Sequence, residues 1–177
     1  ALSAAQLDTV QIAELSTKQL RAIETADLAA MATASIAALQ VNQLPGLSTT
    51  QMAALTTEQL TNLTDPQLAA LSTNQLGAVL AADLVTLTSS QFQALTTAQV
   101  AGLTTAQVNA LETEDLAAMD TAQIRAFGTS AMQAMTAGQL QALGTEQVAA
   151  LRTNQITAIE SADLATMQTA DLAAMGT

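Results

Sequence analysis

One eight-residue phrase constrains this chain more than any other feature. Leu-Thr-Thr-Ala-Gln-Val-Ala-Gly at positions 95–102 is followed at once by Leu-Thr-Thr-Ala-Gln-Val-Asn-Ala at 103–110, and variants of it run almost end to end. A large apolar residue, here the head of each unit, returns every eighth position, from Leu7, Leu15 and Ile23 to Ile159, Met167 and Met175. Five residues after each head comes a second apolar column, from Ile12, Leu20 and Leu28 to Ile156, Leu164 and Leu172. All seven Met and both Phe fall in these two columns, which marks them as core filler rather than ligands.

An octad excludes the two simplest structures. A continuous α-helix advances about 100° per residue, so each unit would turn its apolar pair by about 80° and wind the stripe around the helix. The spacings of three and five do not alternate as a strand would, and Ala and Gln are poor strand formers. The backbone therefore has to break once per unit.

The polar positions supply the break. Thr, Ser or Asp stands two residues after most heads, as in Thr49, Thr57, Asp65, Thr73, Ser89, Thr97 and Thr105, which is the residue choice of a helix N-cap. Asp65-Pro66 sets the register on this reading, because Pro is best tolerated at the first helical position. A further column carries Gln or Asp, as in Gln51, Asp83, Gln99, Asp115 and Asp163, placed to meet free N–H groups at the positive helix end. A helix of about six residues then runs to the next head. Gly128, Gly144 and Gly176 follow heads, where a left-handed C-terminal residue is expected. Lys18, Arg21, Glu58, Glu114, Arg125, Glu146 and Arg152 occupy the remaining positions and are assigned to solvent.

A helix this short is far below the ~12–15 residues at which an isolated helix becomes marginal, so neighbours must supply its stability. The expected fold is all-α: a solenoid, or superhelix, of about 21 very short helices, one per octad, joined by two-residue corners with Thr N-caps, in a single repeat domain spanning 1–177. The number of octads per coil is not readable, since every unit is alike. Three places break the pattern. The unit near 40–46 lacks its Thr and carries Pro45 inside the expected helix, which should end or kink it. The corner near 79–84 is apolar, so two short helices are expected to fuse there, and 1–7 repeats the motif out of register.

Composition narrows function by exclusion. The chain has no Cys and no His, so thiolate chemistry, the usual general base and the commonest transition-metal ligand are missing, and no enzyme, cofactor or metal site is expected. Four basic residues against fifteen acidic ones give a net charge of −11, which disfavours nucleic acid and anionic lipid as partners. No apolar run approaches the roughly 20 residues needed to insert across a bilayer. The sequence opens inside repeat-like residues and reads as a piece of a longer protein.

Two groups invite a functional reading. Glu112, Glu114, Asp115 and Asp120 form the densest acidic cluster, and oxygen ligands suit calcium, yet no EF-hand loop or calcium-binding nonapeptide is present, and a solvated face with a helix-start Asp accounts for them. The Thr column could form a hydroxyl array for ice or glycan. The plainer account is that each Thr caps its own helix.

The runs from Leu95 and from Leu143 (Leu-Gly-Thr-Glu-Gln-Val-Ala-Ala) resemble the Leu-Thr-Thr-x-Gln octapeptide repeats of very long secreted bacterial proteins labelled adhesin, haemagglutinin or haem-utilisation-like. That resemblance covers nearly the whole chain and implies a bacterial extracellular or cell-surface setting. Haem binding is not carried over, for want of an axial His. Leu55-Thr56-Thr57-Glu58-Gln59-Leu60 also resembles the opening of the repeat in transcription-activator-like effectors, but those repeats are far longer and basic, and the likeness is shared helix-start chemistry.

The expectation is a non-enzymatic spacer in an exported bacterial surface protein, whose partners are the neighbouring domains of a longer chain. The alternative is a solenoid module binding a peptide or glycan, with calcium as a conceivable requirement.

Overall fold

Where Ser or Thr stands three residues before a Gln, the corner is built by a reciprocal pair of hydrogen bonds. At Ser48 the side-chain oxygen accepts from the Gln51 backbone N–H at 3.2 Å, and Gln51 Oε1 accepts from the Ser48 backbone N–H at 2.9 Å. This capping box satisfies two of the N–H groups that a helix start leaves open, and helix Thr49–Met52 follows. The same exchange opens Thr57–Thr61 from Thr56, Thr97–Ala101 from Thr96 and Thr105–Ala110 from Thr104. The computed structural model describes residues 9–175, with side chains from 11 onward. Within them lie twenty α-helices of four to six residues, one 3-10 helix and no strand.

The capping register differs from the sequence expectation by one residue. The N-caps are Ser48, Thr56, Thr64, Ser72, Thr88, Thr96 and Thr104, directly after the heads, whereas Thr49, Thr57, Asp65, Thr73, Ser89, Thr97 and Thr105 are the first helical residues. Pro66 is tolerated one place further in because no first-turn N–H has an intrahelical partner to lose. What decides the register is Gln at the third helical position, which can reciprocate only with a residue three places before it.

Gly128 and Gly144 correct a second expectation. Both are N-caps in extended conformation, with φ/ψ of −74°/166° and −70°/155°, and no described residue has a positive φ. The corner turns through extended residues at the head and cap, so a left-handed glycine is never needed. Gly176 and the irregularity expected at 1–7 lie outside the described residues.

At 40–46 the α-helix is replaced by a turn and the 3-10 helix Leu44–Gly46, with Pro45 within it. The apolar corner near 79–84 does not fuse its neighbours. Helix Thr73–Gly77 ends, Leu80 takes up φ −62° and ψ 142°, and helix Ala81–Leu84 begins, leaving Leu80 60% exposed. The extended geometry at this corner is kept because the buried neighbours Val79 and Leu84 still have to face the core.

Both apolar columns form that core up to Leu151, beyond which Ile156 and Leu164 are half-buried and Leu172 is exposed. Leu20, Leu28, Leu68, Leu84, Phe92, Val108, Leu116, Ile124 and Phe127 are fully buried, with heads such as Leu47, Leu63, Leu95 and Leu143 close behind. The residues assigned to solvent, from Lys18 to Arg152, are all exposed.

The chain divides into two compact units, Ala1–Leu87 and Thr88–Thr177, each a helical repeat solenoid. In the first, helix Thr9–Ala13 packs on Thr33–Ala37, and Thr57–Thr61 on Ala81–Leu84. In the second, Ser89–Gln93 packs on Thr113–Ala118, and Thr105–Ala110 on Thr129–Ala134. Every one of these pairs is three octads apart. Buried Gln side chains, described below, reach the ends of helices four octads back. One turn of either coil therefore takes between three and four octads.

Candidate functional site

The most ordered chemistry lies between successive turns, in the column of buried Gln. Three residues per octad turn inward: the head, the second apolar residue and the Gln before it, as Leu55, Gln59 and Leu60 illustrate. Gln59 Oε1 is spent on its own cap, accepting from the Thr56 N–H at 3.0 Å. Its Nε2 donates to the carbonyls of Leu28 at 3.0 Å and Met31 at 2.9 Å, at the end of a helix one turn back. Gln51 does the same to Leu20 and Ile23, and Gln75 to Leu44 and Leu47. In the second unit Gln123 bonds Phe92 and Leu95, Gln139 Val108 and Leu111, and Gln155 Ile124 and Phe127. One amide thus closes a helix start and an earlier helix end, which are the two places where a short helix leaves backbone groups unpaired. Gln43 keeps this role without an α-helix, bonding Ile12 and Leu15 across the 3-10 turn.

Sequence reasoning placed these residues at the helix start and missed the second bond. The available signal was a long polar side chain repeated beside a column of buried Leu.

A second kind of rung replaces Gln by Asp. At Asp27, Asp83, Asp115, Asp163 and Asp171 the residue three places earlier is Glu24, Leu80, Glu112, Glu160 or Gln168, and none of these makes a side-chain cap. Asp has no N–H to donate backward. It accepts instead, from the first-position hydroxyl of a helix in the preceding turn: Thr57 donates to Asp83 at 2.5 Å, Ser89 to Asp115 at 2.8 Å and Thr145 to Asp171 at 2.8 Å. Asp163 faces no such donor, because Ala137 holds the equivalent place. Burial pushes the Asp115 carboxyl above the ordinary carboxylate value. The Ser89 hydrogen bond opposes that shift, and the charges of Glu112 and Glu114 add to it.

A third link uses the fifth helical position. Gln93 donates forward to the Ala118 carbonyl at 2.7 Å, Asn109 to Ala134 at 3.0 Å and Gln141 to Thr166 at 2.9 Å. No buried side-chain nitrogen or oxygen among the described residues lacks a partner.

The acidic cluster is dispersed by this architecture. Asp115 points inward to Ser89, Asp120 caps its helix by accepting from the Gln123 N–H at 2.7 Å, and Glu112 and Glu114 are exposed. Among the described residues no group of three or more acids, His or Cys is placed to hold a metal ion, and no helix is long and apolar enough to cross a membrane. The Thr column is a line of first-position residues rather than caps, so its hydroxyls are not needed to start the helices. Thr57, Ser89 and Thr145 spend theirs on Asp.

A family model described as ALTTAQ repeat matches residues 20–57, 81–113, 108–145 and 132–158. The chain belongs to the ALTTAQ repeat family. The family's name spells the corner of the unit: in Ala94-Leu95-Thr96-Thr97-Ala98-Gln99 it runs from the residue before the head, through the cap, to the bridging Gln. Within this ALTTAQ repeat protein, Thr96 and Gln99 form a capping box with bonds of 2.7 and 3.3 Å. A comparison with curated proteins gives no match.

Proposed function

We propose that this ALTTAQ repeat chain is a non-enzymatic spacer in an exported bacterial surface protein of the adhesin-like kind, and that its partners are neighbouring domains of a longer polypeptide. The observation that carries this reading is the Gln column. Within each unit one turn is bonded to the next through backbone and side chains, and a coil of this kind extends by adding octads. The polar groups of the interior are spent on one another rather than converging on a concave site. The acidic, cation-poor surface keeps such a coil apart from anionic lipid and from other copies.

Protease shaving of intact producing cells tests the reading. Release of fragments from this repeat before lysis is the expected result. Fragments that appear only after lysis contradict an exported surface role.

A further inference from the structure

The four basic residues of this chain stand in two equivalent grooves. In the first unit a groove of about 410 Å³ is lined by Thr17, Lys18, Arg21, Pro45 and Gly46. In the second, a groove of about 510 Å³ is lined by Thr97, Ala98, Ala101, Ala122, Arg125, Ala126 and Arg152. Both are the same place in the repeat: Thr17, Lys18, Arg21, Pro45 and Gly46 correspond to Thr97, Ala98, Ala101, Arg125 and Ala126, and the second groove adds Ala122 and Arg152. Lys18, Arg21, Arg125 and Arg152 are the whole basic complement of a chain with fifteen acidic residues, yet no acid lines either groove.

In each groove one guanidinium is held by the backbone of the neighbouring turn. Arg21 Nε donates to the Gly46 carbonyl at 3.2 Å, and Arg152 donates to the carbonyl of Arg125. Arg152 also occupies an N-cap position, where the helix dipole disfavours a cation and its own helix gains nothing from it. Both guanidinium groups remain exposed, with further N–H donors in a fixed fork suited to carboxylate.

We propose that these inter-turn grooves dock an extended acidic peptide segment of a partner protein, with Glu or Asp carboxylates on Lys18 and Arg21 in one unit and on Arg125 and Arg152 in the other. Charge within the grooves selects the sign of the occupant, since each lining holds two cations and no acid while the net charge of −11 is carried elsewhere. The floor selects its kind: the short side chains of Ala98, Ala101 and Ala122 let a peptide backbone lie close in the second groove. A sugar ring would want an aromatic face, and both Phe92 and Phe127 are fully buried. This binding role goes beyond the spacer reading and does not depend on it.

The test is fluorescence anisotropy of a labelled (Glu-Ala)5 peptide against the full chain, with (Gln-Ala)5 and oligogalacturonate as comparison ligands and sedimentation of the chain alone. The expected result is salt-sensitive binding of the Glu peptide only. Each of R21Q and R152Q should weaken it by about fivefold at its own groove, and K18Q/R21Q/R125Q/R152Q should abolish it with the helical circular dichroism retained. E58Q, which makes the net charge less negative outside the grooves, should leave it unaltered. The proposal is overturned by no binding of the Glu peptide, by binding indifferent to the four substitutions, by binding of oligogalacturonate alone, or by self-association that the quadruple substitution dissolves without any peptide binding.

Discussion

Gln123 Nε2 lies 2.9 Å from the carbonyl oxygen of Phe92, a residue 31 positions earlier in the chain. The same nitrogen is 2.7 Å from the Leu95 carbonyl, while its Oε1 accepts from the Asp120 N–H at 3.0 Å. One side chain of an apparently local motif therefore fixes the stacking of two turns. In a repeat whose helices are too short to stand alone, these amides set the register that the Leu columns, being uniform, do not.

Replacing Gln123 with Leu should destabilise the second unit by about 2–4 kcal/mol, since it leaves buried carbonyls at Phe92 and Leu95 without their donor. Urea unfolding measures this. The exposed Gln133 replaced by Leu in the same unit should change stability by less than about 0.5 kcal/mol.

An Asp rung should be convertible into a Gln rung. Glu112→Thr with Asp115→Gln rebuilds the capping box. We expect a gain of about 1 kcal/mol from the cap, read as a higher Tm. Asp115→Gln alone should give less, because Glu112 makes no side-chain cap.

Asp115 should leave a signature in the pH dependence of stability. Its folded-state pKa is raised, chiefly by burial. The folded chain then holds a proton more tightly than the unfolded one, so this group's stabilising contribution is present below the unfolded carboxylate pKa. It is lost as pH rises through the raised folded value. Asp115→Asn should remove that fall, so that the difference between the two proteins grows from weakly acidic to neutral pH. Ser89→Ala removes the hydrogen bond that opposes the shift and should steepen it. Urea titrations across that range measure both.

Gly46 and Gly128 should respond oppositely to added side chains. A Cβ at Gly46 would sit 2.6 Å from Thr17 Cβ and 2.9 Å from its Cα, so Gly46→Ala should cost about 1–3 kcal/mol by forcing two turns apart. At Gly128 nothing lies within 4 Å. Gly128→Ser places a hydroxyl at an uncapped helix start and should stabilise by about 0.5 kcal/mol. Thermal unfolding of both variants separates the outcomes.

How much of this is legible in the sequence can be stated column by column. Leu47, Met52, Leu55 and Leu60 are buried as their eightfold spacing requires, and the break once per octad follows from helix geometry alone. The corner register was legible too, in the Ser48-x-x-Gln51 capping pattern, but Asp65-Pro66 pulled the reading one residue late. Pairing of Glu24 with Asp27, Glu112 with Asp115 and Glu160 with Asp163, against Thr or Ser with Gln at corners such as Ser48, Thr56, Thr96 and Thr104, was visible as well and points to two kinds of rung. The length of a turn was not legible, because identical octads carry no mark of which ones meet. For the same reason the groove at Arg125 and Arg152 could not be found, since residues 27 positions apart become neighbours only once the coil is wound.

The central claim is that buried Gln side chains bond one turn of the coil to the next. A 15N-edited NOESY spectrum of the side-chain amides tests it most directly. The Gln123 Nε2 protons should exchange slowly with water and show cross-peaks to residues 92 and 95, and those of Gln139 to residues 108 and 111. Rapid exchange, with cross-peaks confined to residues of their own octads, would contradict the account.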